Sequence, residues 1–185
     1  MDKIITILNF SGRNDGNCEQ ICKFIEHFHA NTNICVINIK DHFDTCKNCN
    51  YQCLRPEQVC PKLGAEQRTV MDRLMESHRI YYVVPNYCGW PSANYFAFNE
   101  RTVGYFNGDR SKMKSYMQID KRFIVVSNSE TEMFRQAMSQ QTTEPLNILY
   151  MKTSKYTRQS IAGNMLDFEE AKNDLLKYLH ENKLV

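Results

Sequence analysis

Apolar residues in this chain fall into short unbroken runs that alternate with stretches where they recur every three or four positions. Residues 4–9 (IITILN), 34–39 (ICVINI), 80–84 (IYYVV), 121–127 (KRFIVVS) and 146–151 (LNILYM) are β-branched or aromatic without polar alternation, the pattern of strands buried on both faces. Helical spacing places Ile21, Phe24, Ile25 and Phe28 on one face of a helix over 17–29, and Val70, Leu74 and Met75 inward on a helix over 65–77. Ser92 caps a helix carrying Ala93, Phe96, Ala97 and Arg101; further helices are expected over 130–140 and, through Phe168, Ala171, Leu175, Leu176 and Leu179, over 165–182. Pro85 is expected to stop the third strand, because it has no N–H to give a ladder. Residues 101–117 have no clear period and contain Gly104 and Gly108, so they read as a surface excursion. Five strands alternating with helices call for a parallel sheet with right-handed crossovers and helices on both faces. Alternation alone permits more than one strand order.

Composition narrows the picture. At 185 residues the chain is most simply one domain, and a formal net charge of +2 without a run of Lys or Arg does not describe a nucleic-acid surface. No apolar stretch approaches the roughly 18 residues of a membrane helix, and Met1 leads almost directly into a strand. The expectation is a cytoplasmic protein with no membrane partner. Its eight cysteines are then reduced thiols, with Cys18, Cys22 and Cys35 on packed elements.

Three constellations carry candidate chemistry. Residues 10–17 (FSGRNDGN) lie between the first strand and first helix, where unpaired N–H groups and the helix dipole attract anions; Ser11 and Asn17 add side-chain donors and Arg13 a charge. The string is neither a Rossmann nor a P-loop fingerprint, and an ordinary turn and cap would use the same residues. Residues 85–91 (PNYCGWP) set Asn86, Tyr87, Cys88, Gly89 and Trp90 at the carboxyl end of a strand, where a flat ring system can lie; a loop packing on its own protein is the alternative. Ser127 follows the fourth strand as a further candidate contact, although Ser127, Asn128 and Ser129 read most simply as a cap before Glu130. Cys46, Cys49, Cys53 and Cys60 crowd one polar insertion over 42–64 with spacing C-x2-C-x3-C-x6-C. Thiolates so arranged can hold zinc or an iron-sulfur cluster, and spacing does not choose between them or exclude free thiols or a disulfide. The five histidines form no catalytic pair, and no hydrolase motif emerges.

Pro85, Tyr87, Gly89, Ser92, Ala93, Phe98 and Arg101 fill a pattern that resembles the second flavin loop of the NAD(P)H-dependent FMN reductase and iron-sulfur flavoprotein group. Ser11, Arg13, Gly16 and Asn17 are similar to its phosphate loop, with Cys18 where a hydroxyl residue is usual. The resemblance implies an α/β flavodoxin-like three-layer sandwich with a five-stranded parallel sheet of order 2-1-3-4-5. The expected FMN contacts are Ser11, Arg13, Gly16, Asn17, Pro85, Tyr87 and Gly89, on the resemblance, and Cys18, Asn86, Cys88, Trp90 and Ser127, on their place beside those motifs. NAD(P)H would be the co-substrate, a small molecule or protein the electron acceptor, and the assembly a homodimer or homotetramer. Iron-sulfur flavoproteins carry a compact four-cysteine motif at the position of Cys46, Cys49, Cys53 and Cys60, but with two residues between the second and third cysteines where this chain has three. An FMN oxidoreductase, an iron-sulfur electron carrier and a non-enzymatic zinc or partner-binding module are the functions the sequence leaves in play.

Overall fold

The structure, a computed structural model of the chain, describes residues 3–46, 49–55, 58, 60–127, 132–156 and 163–181. Its strands are β1 (Ile4–Asn9), β2 (Asn33–Asn38), β3 (Arg79–Tyr87), β4 (Trp90–Pro91), β5 (Asp120–Ser127) and β6 (Ile148–Lys152). All but β4 lie parallel in the order β2-β1-β3-β5-β6, which is 2-1-3-4-5 when the parallel strands alone are counted. Successive strand residues point to opposite faces, so Ile7, Tyr81 and Ile124 pack against Ile21, Ile25, Leu175 and Leu179. Leu8, Tyr82 and Val125 pack on the other side against Val70, Leu74, Phe98 and Phe134. The first layer is formed by α1 (Asn17–Phe28) and, after the single turn of α6 (Thr153–Tyr156), α7 (Glu169–Glu181), and the second by α2 (Ala65–Glu76), α3 (Ala93–Phe106), α4 (Arg110–Gln118) and α5 (Glu132–Ser139). This is a flavodoxin-like three-layer sandwich.

Two expectations change. β3 does not stop at Pro85 but continues to Tyr87. The Val83 carbonyl accepts from Phe10 N on the β1 side, so by parallel alternation Pro85 also faces that side, beyond the last β1 pair at Asn9 and Val83. The missing donor therefore falls where no partner strand remains. Residues 101–117 are not an excursion: α3 runs on to Phe106 and, after Asn107 turns in the left-handed region, α4 follows with Asp109 accepting from Lys112 N at 2.9 Å as its cap. Residues 128–131 and 157–162 lie outside the described residues, and with them the expected contributions of Asn128, Ser129 and Glu130. No helix among the described residues is long and apolar enough to cross a membrane.

Candidate functional site

The loop after β1 is organised by its own short polar groups. Asn9 Oδ1 accepts from Ser11 N at 3.0 Å, and Ser11 Oγ accepts from Arg13 N at 3.1 Å, so the chain leaves the strand in a tight, side-chain-bonded turn. Asp15 then takes φ 52°, and Gly16 is the N-cap of α1 without a capping side chain. The first N–H groups of α1 are thus not met by a cap side chain, the condition under which a helix N-terminus receives an anion. Ser11, Asn17 and Cys18 are buried here and Arg13 is exposed. Burial pushes the Cys18 thiol up to about 12, with the Arg13 charge opposing, so Cys18 is a packing residue rather than a nucleophile.

Several residues that shape this turn come from far away in the chain. Asn17 Oδ1 accepts from Met165 N at 3.0 Å, so its carboxamide oxygen ties α1 to the segment before α7. Gly163, at φ 71°, sits so close that a Cβ there would stand 2.6 Å from the Asp15 carbonyl oxygen. Lys40, just after β2, donates to Asn14 Oδ1 and brings a cation to the loop. Asp15 N donates to Glu19 Oε2 at 2.8 Å, and Glu19 is held by Lys23 at 2.7 Å, which with the Asp15 bond keeps its carboxyl below the usual range. Neither Gly163 nor Lys40 carries a local signal.

The second loop is a hairpin. Tyr87 pairs with Trp90, and the two residues between them, Cys88 at φ 52° and Gly89 at φ 88°, form a turn whose twist matches the strands it joins. Tyr87 and Trp90 stand 51% and 46% exposed, unlike the rest of β3, so this hairpin presents two uncovered aromatic side chains. Asn86 Nδ2 donates to Ser127 Oγ at 2.7 Å, joining the hairpin to the end of β5. The Phe10 carbonyl accepts from both Ser92 Oγ at 2.8 Å and Asn94 Nδ2 at 3.2 Å. That carbonyl fastens the start of α3 to the anion-competent turn, so the aromatic hairpin and the helix-α1 cradle lie side by side at the carboxyl ends of neighbouring strands.

The cysteine insertion is fastened elsewhere. Arg101, buried in α3, donates Nε to Asp44 O at 2.9 Å and Nη2 to Thr45 O at 3.0 Å, and Glu100 accepts from Cys46 N. Gly104, one turn further, leaves room for Cys60, whose Sγ would be 2.9 Å from any added Cβ. The thiols feel one another's charge: Cys49 and Cys60 both act on Cys46 and on Cys53, although burial is the first cause raising the Cys46 and Cys53 thiols. Among the described residues no three Cys, His, Asp or Glu side chains are gathered closely enough to hold a metal ion. The insertion therefore does not fit a metal centre in this arrangement, and its anchor is the middle of α3 rather than the sheet edge.

No family model and no curated protein matches the chain. Among solved structures it is similar to Smu.1420 from Streptococcus mutans UA159, with 13% identity and a TM-score of 0.67 over 98% of this chain and 100% of that one. It is also similar to azoreductase from Bacillus anthracis str. Sterne, with 10% identity and a TM-score of 0.57 over 98% and 96% of the two chains. A third similar structure is RosB with the bound intermediate 8-demethyl-8-formylriboflavin-5'-phosphate, with 12% identity and a TM-score of 0.56 over 98% and 82%. At these identities the likeness establishes the fold.

Proposed function

We propose that the chain is a flavin oxidoreductase that binds FMN and uses NAD(P)H to reduce a small-molecule or protein acceptor. The observation that carries this reading is the Phe10 carbonyl shared by Ser92 and Asn94, which sets an anion-competent helix terminus beside an exposed aromatic hairpin. A phosphorylated, flat-ringed ligand needs those two surfaces together. That an azoreductase and a structure with a bound flavin phosphate intermediate share the fold adds support.

The backbone N–H groups at Asn17 and Cys18 and the Arg13 guanidinium meet the phosphate, with the Ser11 hydroxyl as a further donor. Tyr87 and Trp90 wall the ring, and Asn86, held by Ser127, fixes the hairpin's approach. FMN, when bound, supplies the hydride-accepting ring, so these residues need only bind, orient and shield it. No acid-base triad is required.

Arg13→Ala tests the assignment. FMN affinity is expected to fall about tenfold, equivalent to 1.4 kcal/mol, with riboflavin much less affected. Equal losses for both ligands would show that Arg13 does not address the phosphate. Trp90 is the one tryptophan of the chain, so its emission should fall as FMN binds; an unchanged signal with FMN bound places the ring elsewhere. The iron-sulfur carrier is the alternative reading; it rests on the four cysteines of one insertion, which the described residues do not gather into a metal site. Stoichiometric iron and sulfide after anaerobic reconstitution would establish it; NAD(P)H-driven flavin reduction in protein that retains neither would reject it.

A further inference from the structure

Two of the four insertion thiols meet over one glycine. Cys53 lies in a one-turn helix, Gln52–Leu54, that packs on α3, and Cys60 is buried against the same helix. A Cβ added to Gly104 would stand 3.0 Å from Cys60 Cβ and 3.9 Å from Cys53 Cβ, so both cysteines crowd the space that the missing side chain leaves. Their own Cβ atoms are therefore within about 7 Å of each other, where a disulfide needs about 3.5–4.5 Å, and closure asks no more than about 3 Å of the one-turn segment. Little packing opposes that movement. Tyr51, just before the turn, takes φ 54°, which a bulky side chain seldom adopts, and Tyr51 and Leu54 are each 67% exposed. Cys46 is tied instead by its N–H to Glu100, a full turn earlier in α3.

No third ligating side chain joins the pair among the described residues, so the arrangement is that of a dithiol and not of a metal centre. The two thiols differ in access. Cys60 is buried, whereas Cys53 is half-buried and lines a groove of about 980 Å³ on the outer side of α3, so a small oxidant that enters the groove reaches Cys53 first. Burial raises the Cys53 thiol above its ordinary value, which slows its attack at neutral pH and suits a pair that answers an excess of oxidant rather than one that turns it over.

We propose that Cys53 and Cys60 are a dithiol pair that a hydroperoxide closes into a disulfide, fastening the cysteine insertion to α3 at Gly104 in addition to its anchor at Arg101. The Cys53 thiolate attacks the terminal oxygen of the hydroperoxide, the O–O bond breaks, and an alcohol or water leaves with a proton while Cys53 becomes a sulfenic acid. Cys60 Sγ then attacks Cys53 Sγ, the S–O bond breaks, and water leaves with the Cys60 proton. The two thiols lose two electrons and two protons, and the hydroperoxide gains them. Nothing in this chemistry requires a flavin.

The reduced full-length chain, treated with excess hydrogen peroxide and alkylated with one isotopic label before reduction and another after it, is read cysteine by cysteine by mass spectrometry. Cys53 and Cys60 are expected to become protected together, in equal fractions and reversibly with dithiothreitol, in a chain that stays a monomer on a non-reducing denaturing gel, while Cys46 and Cys49 remain open to alkylation. Cys53→Ser should leave Cys60 unprotected, and Cys49→Ser should protect the pair as wild type does; a single cooperative thermal transition checks that each variant has folded. Chymotrypsin cleavage after Tyr51 and Leu54 should slow about tenfold in the oxidised chain, because the bond restricts local opening of the insertion. Protection of Cys53 with Cys46 or Cys49, a bond between two chains, protection of Cys60 that survives Cys53→Ser, or no protected pair would each overturn the pairing, and an unchanged cleavage rate would overturn the fastening.

Discussion

Gly163→Ala offers a direct way to disturb the proposed phosphate cradle without touching a residue assigned to contact the ligand. Gly163 has φ 71°, where an L side chain costs about 1 kcal/mol. Its added Cβ would stand 2.6 Å from the Asp15 carbonyl oxygen, about 0.8 Å inside ordinary van der Waals contact, and the next nearest atoms, Gly16 Cα and Asp15 C, are backbone too. No flexible side chain can yield, so the Asp15–Gly16 peptide must move by several tenths of an ångström. The N–H groups at the start of α1 shift with it. The folded state should lose about 2 kcal/mol, from the left-handed backbone and the displaced peptide together. FMN affinity should fall about tenfold, since a phosphate oxygen bonded near 2.9 Å tolerates little displacement of its donors. Isothermal titration with FMN and with riboflavin, beside urea unfolding, reads both effects, and riboflavin should be nearly indifferent. Gly64→Ala is the control: nothing lies within 4 Å of its Cβ position and its φ is −69°. If Gly163→Ala binds FMN within a factor of two of wild type while losing stability, the contact shapes the fold but not the cradle, and the reasoning fails.

Three further predictions follow from buried groups. Lys121 is held at about 7, against 10.5 for the free side chain, by burial first, and it takes up a proton on unfolding between those values. Its cost is therefore full below pH 7 and is lost as pH rises towards 10.5, so wild type should gain about 2 kcal/mol over Lys121→Met between pH 7 and pH 9 in urea unfolding; equal pH profiles would refute it. Gly104→Ala should expel Cys60, because its Cβ would meet Cys60 Sγ at 2.9 Å and Cys60 Cβ at 3.0 Å; faster alkylation of Cys60 with unchanged FMN affinity is expected, and unaltered thiol reactivity would count against the contact. Arg101→Met removes two charge-assisted bonds to Asp44 and Thr45 and should cost about 3 kcal/mol, seen as a thermal midpoint lower by roughly 6–12 °C; a shift under about 2 °C would mean that Arg101 does not hold the insertion.

The core strands were legible because parallel strands buried on both faces have no polar alternation, which leaves compact runs such as IITILN and IYYVV. α4 was not, because only Tyr116 of its nine residues is buried and one inward side chain makes no period. Asp109, a residue type that favours N-caps, is the one local sign of its start. The hairpin after β3 looks like a plain loop in the sequence, since its turn is Cys88-Gly89 rather than the Asn-Gly or Asp-Gly that announces a two-residue turn. Ser11, Arg13, Gly16 and Asn17 could be picked out as a string, whereas Gly163, Lys40 and Asn94 reach the same cradle from 26 to about 150 residues away and leave no mark in the local pattern.

Helix α3 explains why the two loops that drew attention in the sequence occupy different places. Its first turn serves the cradle: Ser92 and Asn94 hold the Phe10 carbonyl, and Phe98 packs edge-on against the Phe10 ring at 5.6 Å. Its last turns serve the cysteine insertion through Arg101 and Gly104. At about 1.5 Å per residue, the twelve steps from Ser92 to Gly104 span about 18 Å of helix axis. The residues that fasten the insertion rooted after β2 lie well down this axis. Changes at Gly104 and changes at Gly163 should therefore separate cleanly, one reading out in thiol chemistry and the other in FMN phosphate affinity. Arg101 matches the resemblance's second flavin-loop motif, yet its hydrogen bonds run to Asp44 and Thr45, so within this chain it links the cradle's helix to the thiol-bearing loop.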